Sequence, residues 1–146
     1  MNAIVSLMGD LIPPPNKLTV EEQQVLQSVE TALENEIAPF VVQNDSLGRY
    51  PHKAIQALAE TGLLKCAVPS DLGGPGFSQL FSLEAQVRIA RVDSAVAQIF
   101  KVHDELVREI PYYTDQKQRE RFAELILHES AVIGLAVAEA GRTAEE

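Results

Sequence analysis

Histidine is the residue type best suited to proton transfer near neutral pH, and the sequence contains three: His52, His103 and His128. They lie far apart and lack cysteine or carboxylate partners at ligand spacing, so the pattern predicts no metal site. His103 is three residues from both Phe100 and Leu106, and it shares their apolar helical face only in part. Two interpretations of His103 stay open: a hydrogen-bonded histidine at the edge of the core, or a side chain that points into a ligand pocket.

The single cysteine, Cys66, is the other side chain with reactive chemistry, as a thiolate nucleophile or a metal ligand. It lies in the apolar run from Leu63 to Val68, and Lys65 is its one local basic neighbour. We therefore interpret Cys66 as a small buried hydrophobic residue. A lone cysteine also excludes an internal disulfide bond.

A glycine-rich stretch, Gly-Gly-Pro-Gly at residues 73–76, could present backbone amides to a phosphate. Because Pro75 removes one of those donors, a structural turn is the better interpretation. The sequence contains no Walker loop, GxGxxG nucleotide motif or GxSxG nucleophile elbow. Glu105, Arg108 and Glu109 form a charged ridge of the kind that usually faces solvent.

The chain has 146 residues and a net charge of -9, from 21 acidic and 12 basic side chains. This length fits one domain, and the acidic balance disfavours nucleic-acid binding because it repels phosphates. Residues 1–12 are mildly apolar but lack a basic start, which argues against a signal peptide and a membrane span. Three prolines follow, so residues 1–17 are interpreted as a leader arm. We expect a soluble, cytoplasmic protein without a membrane partner.

Apolar residues at three- and four-residue spacing predict about five helices over residues 18–130, antiparallel through short loops. The first is expected to begin at a capping box formed by Thr19 and Glu22, and to break near Pro39. Gly62 is expected to end the second helix in a left-handed conformation. Caps and a stop are predicted for the later helices: Ser78 for the third, Asp93 or Ser94 for the fourth, Pro111 to stop or bend the fourth, and Thr114 for the fifth.

Residues 131–138 form a continuous apolar run, Ala-Val-Ile-Gly-Leu-Ala-Val-Ala, in which the helical periodicity is lost. A run of this length predicts a buried β-strand. Because a strand without a partner leaves its backbone groups unpaired, we expect residues 131–146 to be the start of a truncated β-domain. The expected fold is an all-α antiparallel bundle of about five helices followed by the first strand of a missing domain.

Four sequence blocks, in order, carry a resemblance to a known family. They are YPHKAI at residues 50–55 running into LAETGLL at 58–64, VPSDLGGPG at 68–76, IARVDSA at 89–95, and LAVAEAG at 135–141. Together they resemble the helical N-terminal domain of the acyl-CoA dehydrogenase superfamily. Their order and spacing are more specific than any single block.

The resemblance implies a flavoenzyme with FAD, or alternatively FMN, as its cofactor, and a homotetramer or homodimer in the full-length form. In the family a β-domain and a C-terminal four-helix bundle follow, and the catalytic glutamate lies in that bundle, so no catalytic residue is assigned to this chain. By position, the flavin would be contacted by the predicted strand, and Phe100 and His103 would line the pocket of an acyl-CoA or other small-molecule substrate. The cofactor-binding positions implied by the resemblance are Leu135, Ala136, Val137 and Ala138.

Departures from the family pattern keep a second reaction in view. Ala138 and Ala140 stand where many dehydrogenases carry threonine and proline, and residues 133–139 more closely resemble flavin-dependent monooxygenases of the dibenzothiophene-desulfurising type. Leu135 replaces an asparagine of those relatives. The leading hypothesis is dehydrogenation of an acyl thioester; the alternatives are a reduced-flavin-dependent monooxygenase acting on a sulfur or aromatic compound, and a non-catalytic helical interaction module.

Overall fold

The computed structural model describes residues 17–136, and its first helix, α1 (Val20–Ala32), begins at the predicted capping box. The Thr19 hydroxyl accepts a hydrogen bond from the Glu22 amide at 3.1 Å, and the Glu22 carboxylate accepts one from the Thr19 amide at 2.8 Å. Each bond satisfies an amide that has no partner within the helix. The sequence prediction for this helix start is confirmed.

The break predicted near Pro39 is also confirmed. After α1 the chain makes a π-helical turn (Leu33–Ile37) and a 3₁₀ turn (Ala38–Phe40), then a short helix, α2 (Val41–Ser46). Proline has no amide hydrogen, and its ring collides with the carbonyl four residues earlier, so a proline in the middle of a helix kinks or breaks it. The first predicted helix is therefore divided in two.

Four further α-helices follow: α3 (His52–Glu60), α4 (Gln79–Ala90), α5 (Ser94–Tyr113) and α6 (Gln116–Glu129). Two 3₁₀ turns, Leu63–Lys65 and Ser70–Leu72, lie between α3 and α4. Gly62 follows α3 with φ +83°, as predicted for a left-handed C-terminal residue. The predicted caps Ser78 and Asp93 accept hydrogen bonds from amides in the first turns of α4 and α5. The domain is all-helical, in agreement with the predicted fold class.

The expected cap of the last helix was wrong. Asp115, not Thr114, caps α6, and it forms a capping box with Gln118; the Thr114 hydroxyl instead donates to the Ile110 carbonyl. Pro111 was expected to stop or bend its helix; it does not stop α5, which continues to Tyr113, and the bend stays a prediction. A proline in the last turn removes only one hydrogen bond, and few residues follow it to be displaced.

The core forms where α1, α3, α4 and α5 meet. Among its fully buried side chains are Val29, Leu58, Phe81, Ile89 and Phe100. A smaller apolar cluster packs α6 onto α5 and the loop after α3, and its buried members are Ala67, Val68, Val107, Ala123 and Ile126. This second cluster also receives Ile133 from the segment after α6.

The predicted strand is not present over residues 131–136, which have no regular secondary structure. A strand is held by hydrogen bonds to a neighbouring strand, and residues 17–136 offer none. Val137 and Ala138, the rest of the predicted strand, and most of the predicted leader arm lie outside the described residues. No helix within residues 17–136 combines the length and the apolar character needed to cross a membrane.

Ser130, directly after α6, is in the left-handed region at φ +52°. A side chain in this conformation is strained, whereas glycine adopts it freely. We expect Ser130→Gly to raise the free energy of unfolding by about 0.5–1 kcal/mol, measured by urea denaturation. Ser28→Gly, at an exposed position within α1, should lower it by a similar amount. Equal losses for both variants would contradict this account.

Candidate functional site

His103 lies on α5 and is only 1% exposed. Its Nε2 is 2.6 Å from the Leu64 carbonyl oxygen, and its Nδ1 is 3.0 Å from the Ile133 amide nitrogen. A carbonyl only accepts and an amide only donates, so Nε2 must carry the proton and Nδ1 must be the acceptor. The ring is therefore neutral and joins three parts of the chain.

Burial is the main cause that lowers the pKa of His103, because a charged ring loses its hydration. The hydrogen bond to Leu64 and the negative charge of Asp104 oppose this shift without cancelling it. With both nitrogens engaged by backbone groups, His103 cannot exchange a proton with a ligand while these contacts last. The prediction that it lines a substrate pocket stays a prediction.

A groove of about 720 Å³ lies open to solvent beside α4 and α5, with the loop after α3 at its edge. Phe100, the other residue predicted to line a pocket, borders this groove, whereas His103 does not. Leu83, which is 57% exposed, adds apolar surface from α4. Phe100 itself is 1% exposed, so its ring belongs mainly to the core beneath the groove.

A polar network that the sequence analysis missed joins α4 to α5 at the groove. The Ser82 hydroxyl donates to Asp104 Oδ1 at 2.9 Å, and Arg108 Nε donates to Asp104 Oδ2 at 3.0 Å. Arg108 also donates to the Ser82 hydroxyl at 2.7 Å. Arg108 is thus half-buried in this network at the groove, and its prediction as part of a solvated ridge was wrong, although Glu105 and Glu109 are exposed. The four-residue spacing of Asp104 and Arg108 was the available signal.

Cys66 and the glycine-rich loop match their predicted roles. Cys66 is 2% exposed, and burial raises the pKa of its thiol to about 12, so it is not a thiolate at neutral pH. In the loop, the amides of Gly73, Gly74 and Gly76 donate to the carbonyls of Ser70, Pro69 and Val68. These amides close turns within the chain and are not presented to a phosphate.

The residues implied to contact flavin lie on the segment after α6. Leu135 is 63% exposed and Ala136 is also exposed, while Val137 and Ala138 lie outside the described residues. The segment is connected to α5 through His103, since Ile133 donates to that ring two residues before Leu135. His52 and His128 are exposed, and neither borders the groove.

Comparison with known proteins identifies relatives over most of the chain. The family model described as the N-terminal domain of acyl-CoA dehydrogenase matches residues 19–129. The mitochondrial short/branched chain specific acyl-CoA dehydrogenase of Bos taurus is 27% identical over 84% of the chain and 29% of its own length. The probable acyl-CoA dehydrogenase FadE25 of Mycobacterium tuberculosis is 29% identical over 57% of the chain and 21% of its own.

A third relative has a different reaction in its name. The probable FMNH2-dependent monooxygenase SfnC of Pseudomonas putida is 34% identical over 71 residues, which are 49% of the chain and 18% of that protein. The chain thus spans less than a third of the length of each of these relatives.

Proposed function

This chain belongs to the acyl-CoA dehydrogenase family through its N-terminal domain, and from that premise we propose that it forms the helical wall of a substrate pocket in a flavin-dependent oxidoreductase. The proposed reaction is the CH–CH dehydrogenation of an acyl thioester. The groove beside α4 and α5, bordered by Phe100, is the observation that carries the proposal. His103, one turn further along α5, would stand behind this wall.

The charges at the groove favour the acyl portion of a thioester over its phosphates. Lys101 and Arg108 contribute two positive charges, but Asp104, Glu105 and Glu109 contribute three negative ones. Lys101 pairs with Glu105 and Arg108 with Asp104, so neither cation is left to bind a phosphate. An uncharged acyl chain gains from contact with the exposed Leu83 and is not repelled by this negative field.

The segment after α6 has the chemistry needed to contact a flavin ring. Leu135 and Ala136 are exposed and carry no charge, so they offer apolar side chains and backbone hydrogen-bonding groups to a flat ring. We extend the proposed contact to Val137 and Ala138 from their place in the sequence. FAD, or alternatively FMN, supplies the electron-accepting ring when bound. The proposed assembly is a homotetramer or homodimer, and no residue of this chain is proposed as the catalytic base.

A reduced-flavin-dependent monooxygenase of the same fold is the second candidate. The resemblance to SfnC, which its name describes as FMNH2-dependent, supports it, as do Ala138 and Ala140, which stand where many dehydrogenases carry threonine and proline. The same groove would then receive a sulfur or aromatic compound. The two candidates differ in the ligand that the helical wall accepts.

A ligand titration followed by nuclear magnetic resonance separates the candidates. We expect butanoyl-CoA, but not free CoA, to shift the amide signals of Leu83 and Phe100. Leu83→Glu should weaken this binding about tenfold, because it replaces an apolar contact with a charge. Val42→Glu is the matched control, since Val42 is 78% exposed and lies away from this groove.

The opposite outcomes are equally specific. Shifts at the same residues with thioanisole, an aromatic sulfide, and none with butanoyl-CoA would replace the first candidate with the monooxygenase. Shifts confined to other parts of the chain, or equal weakening by both variants, would refute the groove as a substrate wall.

A further inference from the structure

We propose that His103 is a positioning residue: it fixes the path of residues 131–136 across the helical domain, and so determines where Leu135 and Ala136 are presented. The contact with flavin rests on the proposed function. The positioning itself rests on the described hydrogen bonds, which require no cofactor.

Two backbone amides hold the start of this segment. Ala131 donates to the Leu125 carbonyl at 3.2 Å, which only continues the C-terminal turn of α6. Ile133 donates to His103 Nδ1 at 3.0 Å, and this bond joins the segment to a different helix. The Ile133 side chain packs into the cluster that contains Val107 and Ile126. Among the described residues, the hydrogen bond from Ile133 to His103 is therefore the contact that fixes the position of the segment on α5.

The imidazole is itself held in one orientation. Its Nε2 donates to the Leu64 carbonyl at 2.6 Å, and the side chain is almost entirely buried. A ring fixed at one edge presents its other nitrogen at a defined point. If Nδ1 carried the proton instead, two donors would face each other at Ile133 and two acceptors would face each other at Leu64. Both hydrogen bonds would then be lost. The Nε2–H tautomer is thus part of the positioning.

The hydrogen bond to His103 Nδ1 matters because of the path that the chain takes after Ile133. Leu135 follows Ile133 by two residues and is largely exposed, so the segment leaves the apolar cluster soon after the bond. An apolar contact alone permits Ile133 to slide within its cluster, since dispersion forces have no direction. A hydrogen bond to a buried, oriented ring removes that freedom. Segment direction is therefore set at Ile133.

Two variants separate the acceptor function of the ring from its donor function. In His103→Asn the side-chain oxygen lies near the former Nδ1 and can still accept from Ile133, but the donor to Leu64 is lost. In His103→Gln the amide nitrogen lies near the former Nε2 and can still donate to Leu64, but the acceptor is lost. Both variants replace the ring with a neutral amide that keeps one of its two hydrogen bonds, so each is the control for the other.

The experiment combines imidazole nitrogen spectra of the wild-type chain with amide hydrogen exchange of the two variants. We expect the spectra to show the neutral Nε2–H tautomer. Relative to amides of buried helical residues such as Ile89, we expect the Ile133 amide to exchange about tenfold faster in His103→Gln and to stay near wild type in His103→Asn. A ring that only fills space would not produce this difference.

Three results would overturn the proposal: an Nδ1–H tautomer, equal acceleration of Ile133 exchange in both variants, or no acceleration in either. None of these measurements involves a ligand. Failure of the butanoyl-CoA titration with the expected tautomer and exchange pattern would refute the proposed function and leave the positioning role in place. The reverse combination would refute the positioning role alone.

Discussion

Glu22→Ala is expected to lower the free energy of unfolding by about 3 kcal/mol, because one carboxylate caps two helices. Its Oε2 accepts from the Thr19 amide at the start of α1. Its Oε1 accepts from the Ser78 amide at 2.8 Å and from the Ser78 hydroxyl at 2.7 Å, at the start of α4. Ser78 in turn accepts from the Phe81 amide. Removing the carboxylate leaves two amides without their partner and frees the Ser78 hydroxyl.

Urea denaturation of matched variants tests this expectation. Glu21→Ala is the control, because Glu21 lies in the same first turn of α1 but is exposed, and it should cost less than about 1 kcal/mol through the helix dipole alone. Similar losses for Glu21→Ala and Glu22→Ala would show that the carboxylate does not join the two helices.

The same carboxylate gives the protein a dependence on acid. Burial raises the pKa of Glu22, but hydrogen bonds from Ser78 and Thr19 outweigh it and leave that pKa below its ordinary value of 4.5. The unfolded chain therefore takes up this proton at a higher pH than the folded chain does. The stabilisation is complete above pH 4.5 and is lost as the pH falls through the folded pKa. Glu22→Gln should lack this component of acid sensitivity.

Gly74→Ala is expected to destabilise the fold by about 3 kcal/mol through direct overlap with the backbone. A β-carbon at Gly74 would lie 2.2 Å from the Val68 carbonyl oxygen and 2.4 Å from the Val68 β-carbon. That carbonyl already accepts from the Gly76 amide at 2.9 Å, so it cannot move without breaking the turn. Val68 is buried in the cluster that supports α6, and the cost extends to that packing.

Gly134→Ala is the control for this second variant, because a β-carbon at Gly134 meets no atom within 4 Å. Thermal and urea denaturation should show a large loss for Gly74→Ala and little change for Gly134→Ala. Equal stability of the two variants would mean that the loop relaxes around the added methyl group. Because Gly76 and Pro69 border the groove, Gly74→Ala should also weaken butanoyl-CoA binding.

The sequence predicts those features that depend on neighbouring residues. The capping box at Thr19, the break at Pro39 and the left-handed Gly62 each follow from one local rule, and each was confirmed. Even the error at Thr114 lies one residue from the true cap, Asp115, because both residue types can accept the same amide. Local patterns thus place the helices but leave their ends uncertain by a residue or two.

Contacts between residues that are far apart in the sequence could not be predicted from such local patterns. Glu22 and Ser78 are 56 positions apart, and each was predicted only as a cap of its own helix. Arg108 was placed on a solvated ridge because its partner Ser82 lies on another helix. His103 was left between two interpretations for the same reason, since Leu64 and Ile133 are distant in sequence. The groove and its network arise only when α4 and α5 pack together.

The π-helical turn at Leu33–Ile37 has a consequence for how the chain compares with others in length. Such a turn contains one residue more than an α-helical turn, yet Leu33 at its start and Ile37 at its end are both buried in the core. The extra residue forms a bulge, and the side chains at both ends of the turn stay in the core. A chain one residue shorter here could close the turn as ordinary α-helix, so we expect the fold to tolerate a single-residue deletion within this turn.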